Sequence, residues 1–86
     1  PLLAGGVRGT VQNTKGERMP FTSILVKNTG IGTMANEEGK YEISLKPGTY
    51  ELQFQYLGYK VFTRSVEVGD GFNTLDVTME EAVVQL

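Results

Sequence analysis

The stretch NEEGKYEISLKPGTYELQFQYLGYK, Asn36 to Lys60, decides the fold. From Thr49 to Tyr56 the side chains alternate: Tyr50, Leu52, Phe54 and Tyr56 fall on one face, Thr49, Glu51, Gln53 and Gln55 on the other. A period of two with one apolar face is the mark of a half-buried β-strand. Just before it, Tyr41, Ile43 and Leu45 alternate with Lys40, Glu42 and Ser44. Lys46-Pro47-Gly48 joins the two runs, Pro fixing φ and Gly accepting a positive one, so the pair reads as a hairpin. Gly39 and Gly48 are expected in backbone conformations that favour glycine.

Outward from this block the pattern predicts seven short strands in all. The first covers about Gly6 to Gln12, with Val7 and Val11 inward, and is closed by the turn-rich Asn13-Thr14-Lys15-Gly16. The second runs about Thr22 to Lys27, with Ile24 and Val26 inward and Leu25 outward, which suggests a partly covered outer surface. Thr33 to Ala35 reads as a very short edge strand. After Gly58 a strand from about Lys60 to Val68 turns Val66 and Val68 inward, while the adjacent Val61 and Phe62 leave its first half ambiguous. A last strand, about Asn73 to Met79, places Leu75, Val77 and Met79 inward. Two packed sheets follow.

With 86 residues the chain allows one domain, 1–86, whose core spans about 6–80, with 81–86 as a tail toward a following domain. A domain of this size buries only about 60% of its unfolded surface. Stability is expected to be about 5 kcal/mol or a little more. Eleven glycines, three prolines and almost no apolar period of the helical kind favour an all-β chain. A net charge of −2 without a dense Lys/Arg cluster speaks against nucleic acid and anionic lipid as partners. No apolar run approaches the ~20 residues that cross a bilayer, so membrane insertion by this domain is not expected. Pro1-Leu2-Leu3-Ala4 lacks the basic start of a signal peptide, and an opening on Pro1 without Met reads as a processed or excised piece.

The chain has neither histidine nor cysteine. Ser-His-Asp and Cys-His catalysis, disulfides and the usual zinc ligand sets are therefore excluded, and Ser23, Ser44 and Ser65 have no obvious base. Three motifs invite sharper readings. Gly30-Ile31-Gly32-Thr33-Met34-Ala35 matches a relaxed dinucleotide fingerprint, but Asn36 to Gly39 stops any helix within a turn, so a glycine-permitted connection explains it better. Asn36, Glu37 and Glu38 loosely suggest a calcium loop, without its alternating ligand spacing; a β-turn with Gly39 at positive φ explains the same residues. Tyr50, Phe54, Tyr56, Tyr59 and Phe62 crowd one region and suggest a glycan platform, yet the shared phase of Tyr50, Phe54 and Tyr56 is what a sandwich interior requires. Tyr59, next to Gly58, is the aromatic expected to be exposed.

Taken in order, Val7 to Val11 (VRGTV), Gly16 to Pro20 (GERMP), Ile24 to Thr33 (ILVKNTGIGT), Asn36 to Tyr41 (NEEGKY), Pro47 to Tyr50 (PGTY) and Tyr56 to Lys60 (YLGYK) resemble the carboxypeptidase-regulatory-like domain. The resemblance covers Val7 to about Met79, and departs at Asn28-Thr29-Gly30, where a Gly-Thr pair is commoner, and at Asn36, where Asp is frequent. It implies a seven-stranded transthyretin-like, immunoglobulin-like β-sandwich. Related transthyretin-like enzymes depend on histidines, and zinc carboxypeptidases keep their ligands in a separate domain; this chain has neither. The resemblance further implies a non-catalytic accessory domain on the periplasmic face of the outer membrane, ahead of a TonB-dependent receptor or related barrel. The alternatives are a domain flanking a secreted zinc carboxypeptidase and a glycan- or protein-adhesive module. No catalytic residue, cofactor or metal is expected, and the domain is expected to be monomeric. Its partner is expected to be a periplasmic protein segment or the rest of its own chain, with Leu25 and Tyr59 as contact residues and Glu80-Glu81-Ala82-Val83-Val84 as the approach to a segment that pairs with TonB.

Overall fold

Where apolar and polar residues alternate, the computed structural model, which describes residues 5–82, forms strands. They are β1 (Gly6–Asn13), β2 (Ser23–Val26), β3 (Gly32–Met34), β4 (Lys40–Ser44), β5 (Gly48–Gln55), β6 (Phe62–Val68), β7 (Phe72–Thr74) and β8 (Val77–Met79). One sheet is antiparallel throughout, in the order β3-β2-β5-β6. In the other, β1 pairs antiparallel with β4 on one side and parallel with β7 and then β8 on the other. The apolar faces meet in one core that includes Val7, Val11, Ile24, Val26, Tyr41, Ile43, Leu45, Leu52, Phe54, Val68, Val77 and Met79, capped by Met19 and Ala35 from the loops. Phe54 is its largest fully buried side chain, edge-on to Tyr41 at 5.3 Å and to Phe62 at 5.8 Å between ring centroids.

An all-β sandwich is thus the observed architecture, with four corrections of detail. The runs on either side of Lys46-Pro47 are not a hairpin: β4 lies against β1 in one sheet, and β5 lies between β2 and β6 in the other. The chain crosses between the sheets there, and Leu45, fully buried, donates its N–H to the Gly5 carbonyl at 3.0 Å. Alternation tells which face of a strand is buried; it is silent about the lateral neighbour, and two strands facing one interior from opposite sheets carry the same pattern as a hairpin. Pro47 and Gly48 serve the crossing as well as they would a tight turn.

The second correction is the strand count, eight instead of seven, because the run from Phe72 to Met79 is broken at Leu75-Asp76. The break has a cause in β1. A Cβ on Gly9 would stand 2.0 Å from the Leu75 carbonyl oxygen, so only glycine lets the chain pass this close. The Leu75 N–H donates to the Arg8 carbonyl at 2.8 Å, the Tyr41 hydroxyl donates to the Leu75 carbonyl at 2.6 Å, and the Asp76 carboxylate accepts from the Thr10 N–H at 3.0 Å and its hydroxyl at 3.2 Å. Side chains thus replace the missing ladder bonds.

Third, Tyr56 points outward, 36% exposed, because β5 stops at Gln55 and Tyr56 opens a turn in which its carbonyl accepts the Tyr59 N–H at 3.0 Å. Fourth, Tyr59 is half-buried against the core, and Leu57 at the tip of that turn is the exposed residue, at 96%. In β6 the ambiguity between Val61 and Phe62 is resolved: Phe62 packs on the core and Val61 is exposed.

Both singled-out glycines take positive φ, 76° at Gly39 and 156° at Gly48. Gly39 belongs to an Asn-x-x-Gly-x loop that occurs twice. In Asn36–Lys40 the Asn36 side-chain oxygen accepts from the N–H groups of Glu38 (2.8 Å) and Lys40 (3.0 Å). In residues 13–17 the Asn13 oxygen accepts from Lys15 (2.9 Å) and Glu17 (3.0 Å) in the same way, and Gly16 has φ 81°. The loops also touch: the Val11 N–H donates to the Gly39 carbonyl at 2.8 Å and the Met19 N–H to the Val11 carbonyl at 2.9 Å.

Phe54→Ala should cost about 3–5 kcal/mol, enough to unfold most molecules of a domain this small. Gln53→Ala and Gln55→Ala should each change stability by no more than about 0.5 kcal/mol. Urea titrations give the order; a worse Gln variant would refute the strand phase. Gly9→Ala should destabilise by about 1–3 kcal/mol, since the added methyl meets a backbone carbonyl that cannot swing aside, and the same titration measures it.

Candidate interaction surfaces

None of the three motifs that invited a chemical reading assembles a reactive site. Gly30 to Ala35 is the second arm of the β2–β3 hairpin, in which Ile24 pairs with Thr33 and Leu25 with Gly32. Its turn is built locally: Asn28 takes φ 65°, a left-handed value that Asn tolerates, and the Thr29 hydroxyl donates to the Val26 carbonyl at 2.9 Å while accepting from the Ile31 N–H at 3.0 Å. Asn36 spends its carbonyl oxygen on two backbone amides, leaving Glu37 and Glu38 as exposed carboxylates, and Glu38 lies 3.7 Å from the Lys40 ammonium. Among the described residues, no three acidic side chains cluster as a metal site would need. The aromatic group divides. Tyr41, Phe54 and Phe62 stack edge-to-face inside, and Tyr56 and Tyr59 stack at 5.5 Å on the surface at one end of the sandwich.

A groove of about 540 Å³ lies over the sheet built on β1, with Arg8, Thr10, Lys40, Glu42, Thr74 and Asp76 among its lining. Its charges are largely engaged with one another. The Arg8 guanidinium stands 3.8 Å from the Glu42 carboxylate and 4.5 Å over the Phe72 ring, and Asp76 is held by Thr10. Exposed pairs of this kind contribute about 1 kcal/mol or less. Beneath them, burial pushes the Tyr41 hydroxyl well above the ordinary tyrosine range, and the neighbouring Asp76 carboxylate adds to the shift. Tyr41 is therefore a neutral donor to Leu75, a structural strut.

The exposed apolar residues are more informative. Leu25, 41% exposed, stands on the outer face of β2 diagonally across from Met34 on β3, since Leu25 pairs with Gly32 and Ser23 with Met34. Phe21, 59% exposed, joins the same edge, donating its N–H to the Ala35 carbonyl at 3.1 Å. Its φ of 63° is an outlier for a bulky side chain, costing about 1–3 kcal/mol. Sequence reasoning found Leu25 from its phase. It missed Phe21 and Met34, because positive φ at a Pro-Phe turn leaves no trace in periodicity. Tyr59 and Leu25 are not brought together: Tyr59 belongs to the end of the molecule where Tyr56, Leu57 and Val61 line a second groove.

The family model of the CarboxypepD_reg-like domain matches residues 7–86, and the chain belongs to that family. Two TonB-dependent receptors of Formosa agariphila are similar to it, one 29% identical over 80 residues and 93% of this chain, the other 38% identical over 64 residues and 73% of it. Structural protein 27 of a virus (isolate Australia/Victoria) is 29% identical over 93% of the chain. The chain spans about 7%, 6% and 15% of the lengths of these three relatives.

Because the Tyr41 hydroxyl ionises less readily in the folded chain than in the unfolded one, the stability it contributes is fully present below about pH 10, the unfolded value, and is lost as the pH climbs above it. Alkaline urea titrations should show that fall, and Tyr41→Phe should reduce it while costing about 0.5–1.5 kcal/mol at neutral pH for the lost hydrogen bond.

Proposed function

We propose that this domain is a non-catalytic accessory module of a TonB-dependent receptor, standing on the periplasmic side of the outer membrane and engaging a protein segment through the outer face of β2 and β3. Family membership over residues 7–86 and the two receptor relatives support the setting. The observation that carries the binding mode is Phe21: an aromatic held in solvent on a strained backbone, its N–H bonded to the Ala35 carbonyl just past β3, the strand that with β2 exposes Met34 and Leu25. Folding alone gains nothing from that choice, since Asn or Gly would occupy the turn at lower cost. An exposed apolar cluster along a sheet edge suits contact with another chain. The absence of histidine and cysteine from the sequence supports a role without chemistry of its own.

Phe21→Asn separates folding from binding. It should raise stability by about 0.5–1 kcal/mol through relief of strain, measured by urea titration, and should weaken capture of a partner from periplasmic extract. Leu25→Glu should abolish the same capture with little change in stability. A partner retained equally by both variants, or a small sugar or metal ion recovered as the tight ligand, would overturn the proposal.

A further inference from the structure

Among the described residues, every strand pairing is antiparallel except those of β1 with β7 and β8. These are also the first strand and the last two. The parallel register places Gly6 beside Phe72 at one end of β1 and Asn13 beside Met79 at the other. The backbone therefore enters β1 at one end of the ladder and leaves β8 at the opposite end, about 23 Å away at about 3.3 Å per residue.

Tension applied at these two ends pulls β1 toward its N-terminus and β7 and β8 toward their C-termini. The load then runs along the strands, so the bonds across the ladder share it and must fail together. A load running across the strands would open them one after another. Two features oppose sliding further. The Leu75 carbonyl sits where Gly9 has no side chain, and the Tyr41 hydroxyl of β4 donates to it at 2.6 Å. Shear would carry that carbonyl along β1 toward Val11, whose buried side chain leaves no such notch. Asp76 ties the next position, accepting from the N–H and the hydroxyl of Thr10 at 3.0 and 3.2 Å.

We propose that this domain is a force-bearing link: tension along its backbone is resisted by a shear clamp of β1 against β7 and β8, with Leu75 seated at Gly9 as its catch. The clamp uses neither β2 nor β3, so it is independent of the contact face proposed above. It does not require high thermodynamic stability, because forced unfolding is governed by the rate of unfolding rather than by the equilibrium.

The chain has no cysteine, so introduced cysteines are unique handles for single-molecule force spectroscopy of all 86 residues. One version carries a cysteine added before Pro1 and another added after Leu86, which loads the ladder in shear. The second version keeps the C-terminal cysteine and replaces the first by Lys15→Cys, in the exposed turn just past β1. That pair pulls on Asn13 and Met79 at the same end of the ladder and peels β8 from β1. The bridge between Tyr59 and Glu81 lies in the path of both, so it adds no difference between them. The end-to-end version should unfold at several times the force of the Lys15 version at the same loading rate, and Tyr41→Phe should lower the end-to-end force. Equal forces in the two geometries, or an end-to-end force that Tyr41→Phe leaves unaltered, would overturn the proposal.

Discussion

Every strand of one sheet is held through β1, and β1 can hold them only because position 9 lacks a side chain. Val7 and Val11 face the core on either side of Gly9, and the partners on one edge of the strand change there from β7 to β8. The Leu75 carbonyl occupies the space that a Cβ would fill. That approach allows Tyr41 of β4 to reach across and donate to the same carbonyl, while Asp76 satisfies the Thr10 amide that the broken strand no longer reaches. A continuous partner strand would have left β4 and the C-terminal strands without this bond.

The second support is repetition on a smaller scale. The Asn13 and Asn36 loops use one solution, an amide oxygen that caps two backbone N–H groups and a glycine with positive φ three residues on. Each reverses the chain using its own atoms, so neither depends on burial for its shape. Packed together through Val11, they close the end of the sandwich where β1 finishes and β4 begins.

The open edges of the sheets are treated unequally. Edge strand β3 has only three residues, and edge strand β6 carries Arg64 on its inward-facing side, with the guanidinium 5.2 Å over the Phe62 ring. Short edges and inward charges both discourage indiscriminate strand addition. Among the described residues, the large exposed apolar side chains fall in two groups: Phe21, Leu25, Ile31 and Met34 around β2 and β3, and Tyr56, Leu57 and Val61 at the β5–β6 loop.

The sequence by itself determined the class of fold, the buried face of almost every strand, the family and the outward position of Leu25, because period-two alternation and Gly/Pro/Asn turns are local properties written residue by residue. The absence of His and Cys was equally legible, and with it the chemistry to exclude. Only the tertiary structure decided which strands lie side by side: β4 and β5 share an inward phase yet belong to different sheets, since facing one core from opposite sides and from the same side leave the same pattern. It alone decided the break at Leu75, whose cause is a glycine 66 residues earlier, next to the Thr10–Asp76 bond that spans the same separation. It alone exposed Phe21 and Leu57 as well, because whether an apolar side chain is covered depends on what the rest of the chain brings to it, and that is set by contacts no local pattern records.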